Sequence, residues 1–288
     1  MTSNSSRSGE ADPSVIALLD TLAQCRFVSL AHVISVSIPT LDDRPQASGA
    51  ARFQITTRTV QGPQPSTTIF SDRVSFHTHT GTHIDAFAHW ARDGRHFDAV
   101  SAQVREDGDG MDQFGVHTIP PIVSRAVLID LVASNAGQPL ELGAAITAET
   151  IESYLGSRKI VIQTNDVVLL RTGWSQNWDQ PARYMSGAPG LTADAARYLC
   201  DHGCRAIGVD QWSVDVMPAS DPSVSFACHT LCLVERGVYL IENLNLEGLS
   251  AVGEQIFVFM LLVAPVLGAT GFPVQAVAVV PSVKGNQP

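Results

Sequence analysis

The chain is short of charge, short of cysteine and without a long apolar run. Only 16% of its residues are charged against 45% hydrophobic, and the formal net charge is −10. An acidic chain of this kind repels phosphate backbones and anionic headgroups, so neither nucleic acid nor a membrane is an expected partner. The charge says nothing positive about the expected partner, a small-molecule substrate. The five cysteines, Cys25, Cys200, Cys204, Cys228 and Cys232, are too few and odd in number for a disulfide framework in 288 residues. They point to a reducing compartment, the cytoplasm. The i,i+4 spacing of Cys200 with Cys204, and of Cys228 with Cys232, admits a metal. Core packing is the preferred reading, because cysteine is among the most buried residue types. The longest apolar run, IFVFMLLVAPVLGA from Ile256 to Ala269, is too short for a bilayer span and contains Pro265. It reads as a buried pair of core strands. Residues 1–12 lack the apolar segment of a secretory signal and read as a disordered tail ahead of one domain at 13–288. No G-x-S-x-G elbow occurs, so an acyl-enzyme of that type is not expected.

What the chain does have is alternation. SVIALLDTLAQC, from Ser14 to Cys25, reads as a short amphipathic helix started by Asp12-Pro13. RFQITTRTV (Arg52 to Val60) and VSRAVLIDL (Val123 to Leu131) read as strands. The second half repeats helix then strand: TAETIESYLGSRK before DVVLLRT, TADAARYLCDHG before CRAIGVDQ, HTLCLVERG before VYLIENL. Gly203 and Gly237 stand at helix stops. These strands are continuously apolar, which marks burial on both faces. The expected fold is α/β, a single domain with a mixed sheet flanked by helices. The Gly/Pro-rich stretch at 181–191 is expected to be a loop near the site.

Chemistry concentrates in HTHTGTHIDAFAH, residues 77–89, which holds four of the nine histidines and an aspartate. His77, His79, His83, Asp85 and His89 all fall on odd positions, which share one face of a strand. Gly81 makes a straight strand doubtful, and His79 with His83 also fits a helix face. Each geometry, like a glycine turn between them, gathers two imidazoles and a carboxylate. Two His and one carboxylate with open positions make a catalytic rather than a closed structural metal site. Imidazoles favour Zn²⁺, Mn²⁺ or Fe²⁺. His77 is assigned a supporting or structural part.

The pattern His79-x-Gly81-Thr82-His83-x-Asp85-x-Phe87-x-His89-x₄-Gly94 resembles the signature H-x-G-T-H-x-D-x-P-x-H-x₄-G of the cyclase-like metal-dependent hydrolases. This is the family of kynurenine formamidase and isatin hydrolase. Every fixed residue stands except one, where Phe87 replaces proline. FVSLAHVISVSIPTL, IPPIVSRAVLIDL, DVVLLRTGW and HTLCLVERGVYLIENL also resemble family segments, so the likeness runs over roughly residues 27–280. It implies a swivelling β/β/α fold, a homo-oligomer (dimer or tetramer), and hydrolysis of an amide, lactam or lactone. It implies His79, His83 and Asp85 as metal ligands and His89 as the catalytic histidine. In the binuclear branch a His and a Glu complete a second metal site, and His229 and Glu242 match them. One or two divalent ions per chain, Zn²⁺ or Mn²⁺, are thus implied. A helix of about eight residues rises about 12 Å and the next strand returns about as far, so His229 and Glu242 can end at one level.

Such a metal acidifies water and polarises a carbonyl, and His89 would shuttle a proton to the leaving group. Trp90, Trp174, Trp178 and Trp212 are candidate walls for a flat substrate, and Phe87 adds a ring expected near the metal. Phe87, Trp90 and Trp212 are the residues assigned to substrate binding. Two rivals remain at this point: a non-haem metal-dependent oxygenase, and a metal-binding protein without turnover.

Overall fold

The computed structural model describes residues 12–43, 52–219 and 225–282. Of the expected tail at 1–12, all but Asp12 lies outside them. The strands in chain order are β1 (Cys25–Ser29), β2 (Gln54–Gln61), β3 (Thr68–Ser75), β4 (His83–Asp85), β5 (Ile122–Asp130) and β6 (Ala145–Ile146). They continue with β7 (Val167–Arg171), β8 (Gly190–Leu191), β9 (Ala206–Val209), β10 (Tyr239–Glu242), β11 (Ile256–Val263) and β12 (Gly271–Pro281).

Eight of them form one mixed sheet in the order β1-β12-β11-β5-β7-β9-β10-β4, as the apolar pattern predicts. The steps from β5 through β7 and β9 to β10 are parallel, and the rest are antiparallel. The sheet also closes on itself, which the pattern does not foretell. One end of β12 pairs with β1 (Ser29 opposite Val277), and its other end pairs with β4 (Gly271 opposite Asp85). β4 is therefore held on both edges, by β10 and by β12.

Closure explains why the parallel strands carry apolar side chains on both faces through their middles. Alternate side chains enter two separate cores. Val127, Ile129, Val168, Leu170, Ile207 and Val209 face the helices. Ala126, Leu128, Val167, Leu169, Ile241 and Phe259 fill the barrel. Gly208 permits the close approach inside, since a Cβ there would stand 2.5 Å from Leu169 Cδ2.

The outer helices are Ala148–Arg158, Ala193–Asp201 and Ala227–His229, the last continuing as the π-helix Thr230–Arg236. Thr147 caps the first by accepting the Thr150 N–H, and Gly237, at φ +64°, ends the last. The N-terminal helix Pro13–Leu22 is capped by Asp12 but buries none of its residues.

Two expectations need correction. Ile256–Ala269 holds one strand, β11, and not a pair; its partners are β5 and β12, and Val266 and Leu267 lie exposed beyond it. Residues 181–191 are not only loop: they include the short helix Pro181–Tyr184 and β8. Among the described residues no helix is long and apolar enough to cross a membrane.

Candidate metal centre

The site forms beside the carboxyl ends of the parallel strands, where open positions gather in α/β sheets. Gly81 turns the chain between His79 and His83 at φ +64°, which a side chain would disfavour. In β4, alternation sends Ile84 into the barrel core and turns His83 and Asp85 to the opposite face. Glu242, the last residue of β10, sits directly across from His83 in the antiparallel register. A single turn of 3-10 helix at Phe87–His89 then brings His89 back toward the same point.

The donor atoms converge in two lobes that share two carboxylates. Asp85 Oδ1 lies 2.7 Å from His79 Nδ1 and 3.6 Å from His83 Nε2. Asp85 Oδ2 lies 3.7 Å from His229 Nε2 and 4.0 Å from His89 Nε2. Glu242 repeats the division: Oε2 is 3.6 Å from His83 Nε2, and Oε1 is 3.5 Å from His229 Nε2. Two triads thus meet the spacing a metal requires, His79–His83–Asp85 and Asp85–His89–His229.

Hydrogen bonds on the far side of each ring fix which nitrogen faces the centre. His83 Nδ1 donates to the Gly81 carbonyl at 2.9 Å, leaving the Nε2 lone pair inward. His229 Nδ1 bonds to Asp215 Oδ2 at 2.6 Å, which likewise leaves Nε2 inward. Asp215 also accepts the N–H groups of Cys228 and His229, at 2.7 and 3.3 Å, so it caps the helix and holds the ring together. His79 Nε2 meets the Thr270 hydroxyl at 3.1 Å. Gly271 makes room for this ring, since a Cβ there would stand 2.4 Å from His79 Cε1.

Burial lowers the pKa of His83 to about 4 and of His89 to about 3, against the pull of Asp85, so both imidazoles are neutral. Burial and the Asp85 charge push Glu242 up to about 8. For His229 burial works downward, but the Asp215 hydrogen bond and the charges of Glu242, Asp215 and Asp85 outweigh it and raise the ring to about 9.

These residues fit a divalent metal. Both oxygens of Asp85 are buried and have no aligned hydrogen-bond donor, a costly state for a carboxylate. The atoms nearest them are imidazole nitrogens that also face inward. Ligands about 2.1 Å from one tetrahedral ion stand about 3.4 Å apart. The spacings of 3.5–3.7 Å around His83, His229, Asp85 and Glu242 are close to that. Nitrogen and carboxylate donors suit Zn²⁺ or Mn²⁺.

The centre lies at the floor of a cavity of about 290 Å³ whose walls include Trp90, Trp212, Phe226, Met185 and Leu41. Trp90 and Trp212 are anchored through their indole N–H groups, to the Thr230 hydroxyl and the Gly187 carbonyl. His77 also lines the cavity, and its Nδ1 accepts the His79 N–H. Phe87 does not. The expectation that it borders the metal is corrected: it stacks on Tyr239 with ring centroids 4.4 Å apart and packs against Phe97 and Phe114. Trp174 and Trp178 are also absent from the walls; Trp174 is buried, and Trp178 stacks on His32. Asp215, Asn243 and Gly271 are not legible in the sequence. Asn243 Nδ2 donates to the same Gly81 carbonyl that orients His83. A single Asp, Asn or Gly carries no spacing signal, so only the fold reveals their parts.

Comparison with known proteins identifies the family. Residues 28–216 match the model of the Cyclase family, described as "Putative cyclase". An isatin hydrolase of Roseibium aggregatum is 26% identical over 213 residues, covering 70% of this chain and 72% of that protein. A kynurenine formamidase of Bacillus cereus is 29% identical over 205 residues, covering 71% and 78%. The solved structure of isatin hydrolase A from Ralstonia solanacearum superposes with a TM-score of 0.71 at 24% identity, covering 96% of this chain and all of that one. His229 and Glu242 lie beyond the matched residues of the family model, so their membership of the centre rests on the fold. The chain belongs to the Cyclase family.

Proposed function

We propose that the chain is a metal-dependent hydrolase of non-peptide carbon–nitrogen bonds, acting on an amide or lactam of a small cyclic or aryl substrate. Lactones are the related ester class. The observation that carries the reading is Asp85, a buried carboxylate with no aligned donor on either oxygen, between two sets of imidazoles at the floor of an aromatic-walled cavity. The named relatives act on a cyclic amide and on a formamide, which sets the substrate class proposed here.

His79 and His83 would hold one ion and His229 the other, with Asp85 and Glu242 between them; Zn²⁺ and Mn²⁺ are the candidates. Bound there, the metal supplies Lewis acidity, acidifying water toward neutral pH and polarising a carbonyl. The chain's own residues do the rest. His89, neutral and facing the cavity, takes a proton at Nε2 and returns it to the leaving nitrogen or oxygen. Trp90 and Trp212 bracket a flat substrate and exclude water. Asp215 and the Gly81 carbonyl keep the ligand rings in one tautomer. We also propose that the chain acts as a homo-oligomer.

The test is a screen of the metal-loaded protein against aryl formamides, isatin-like lactams and lactones. The expected result is hydrolysis that a chelator abolishes and Zn²⁺ or Mn²⁺ restores. Oxygen uptake with the loaded protein would move the reading to an oxygenase. Full metal content without turnover on any class would leave a binding protein.

A further inference from the structure

A second cluster of reactive side chains lies away from the cavity. Cys200, on the helix Ala193–Asp201, and Cys232, on the π-helix Thr230–Arg236, bring their sulfurs to 3.8 Å. Cys200 is partly exposed, whereas Cys232 is fully buried. Cys204 contacts Cys200 as well, yet among the described residues no three thiols lie close enough together to hold one metal. The cluster is thus suited to pairwise sulfur chemistry. A disulfide needs the sulfurs about 2.05 Å apart, so they must close by roughly 1.8 Å, within reach of side-chain rotation on two helices already in contact.

We propose that Cys200 and Cys232 are a peroxide-reactive dithiol site, with Cys200 the attacking thiolate and Cys232 the resolving thiol. Cys200 sulfur forms a bond to one oxygen of a hydroperoxide as the O–O bond breaks, giving a sulfenic acid and releasing hydroxide or alkoxide. Cys232 sulfur then attacks Cys200 sulfur. The S–S bond forms, the S–O bond breaks, and the leaving hydroxide takes the Cys232 proton as water. Two thiols lose two electrons in total, and the hydroperoxide accepts them. The local chemistry supports the order of attack. Hydrogen bonds from Cys204 and Cys232, with help from the Arg236 charge and against burial, lower the Cys200 thiol to about 4. Cys204 and Cys232 are both raised well above the usual thiol range, each chiefly by its hydrogen bond to Cys200 and then by burial. Cys200, the partly exposed member of the pair, is thereby the reactive thiolate.

The experiment treats the purified full-length protein with stoichiometric hydrogen peroxide, alkylates the remaining thiols and maps the peptides without reduction. Of the five cysteines, three should remain alkylable and one crosslinked peptide should join Cys200 to Cys232. Cys204→Ser should keep the crosslink, and Cys200→Ser should abolish it. Mapping of the wild-type protein decides the matter even if a buried substitution fails to fold. Five alkylable thiols after treatment, a crosslink to Cys204 in place of Cys232, or accumulation of sulfinic acid at Cys200 would overturn the proposal.

Discussion

His89 keeps 27% of its side chain exposed, while His83 and His229 keep only 3% and 4%. That contrast fits the proposed division between His89, which would meet substrate, and the two rings that would hold metal. His89→Ala should therefore retain metal and lower kcat by about 10²–10⁴-fold, the usual share of general acid–base catalysis. KM should change little if the imidazole acts mainly in the transition state. Loss of metal alongside activity, read by metal analysis, would make His89 a ligand. Asp215 acts one step further out, through His229. Asp215→Ala should weaken metal binding by roughly 10–100-fold, the usual effect of removing a carboxylate behind a ligating histidine. Asp215→Asn keeps an acceptor oxygen and should recover part of that loss, as a competition titration with a chelator would show. Equal affinity in both variants would reduce Asp215 to a helix cap.

At the scale of elements, Gly271 at the start of β12 leaves the room that the His79 ring occupies. Its backbone conformation is open to other residues, but the space beside it holds the His79 ring. Gly271→Ala should displace His79 and lower the metal content of that lobe while leaving the thermal midpoint nearly unchanged. Full metal content in the variant would refute the packing argument. The same element marks the boundary of what a sequence reading reaches. His79, His83, Asp85 and His89 are legible because they are close in sequence, gathered by a glycine turn, a three-residue strand and the 3-10 turn after it. The helix–strand alternation is legible because burial on both faces leaves uninterrupted apolar strands. The closure of the sheet is not, because it depends on β12 reaching across to β4, far away in the chain. Phe87 departs from its expected place for a related reason: it begins the 3-10 turn that aims His89 inward, and its own ring points to Tyr239 on β10.

At the scale of the whole molecule, two parts have no core of their own. The hairpin β2–β3 is exposed along both strands, including Ile55, Val60, Ile69, Phe70 and Val74. The N-terminal helix leaves Leu18 and Leu19 more than half exposed. A lone two-stranded hairpin is marginal in water, so these surfaces favour the proposed homo-oligomer. Light scattering should give at least twice the chain mass of 30.8 kDa, and a monomer at micromolar concentration would contradict it. The rest of the fold supports the centre. The closed sheet holds β4 and β10 in register, and the helix Ala227–His229 brings His229 to the same cluster. The most direct test of that arrangement is anomalous diffraction from crystals of the Zn²⁺-loaded protein, measured on both sides of the zinc edge. The account predicts two zinc peaks flanking Asp85, one against His79 and His83 and the other against His229, with Glu242 reaching both. A single peak, or zinc bound elsewhere with Asp85 bare, would contradict it.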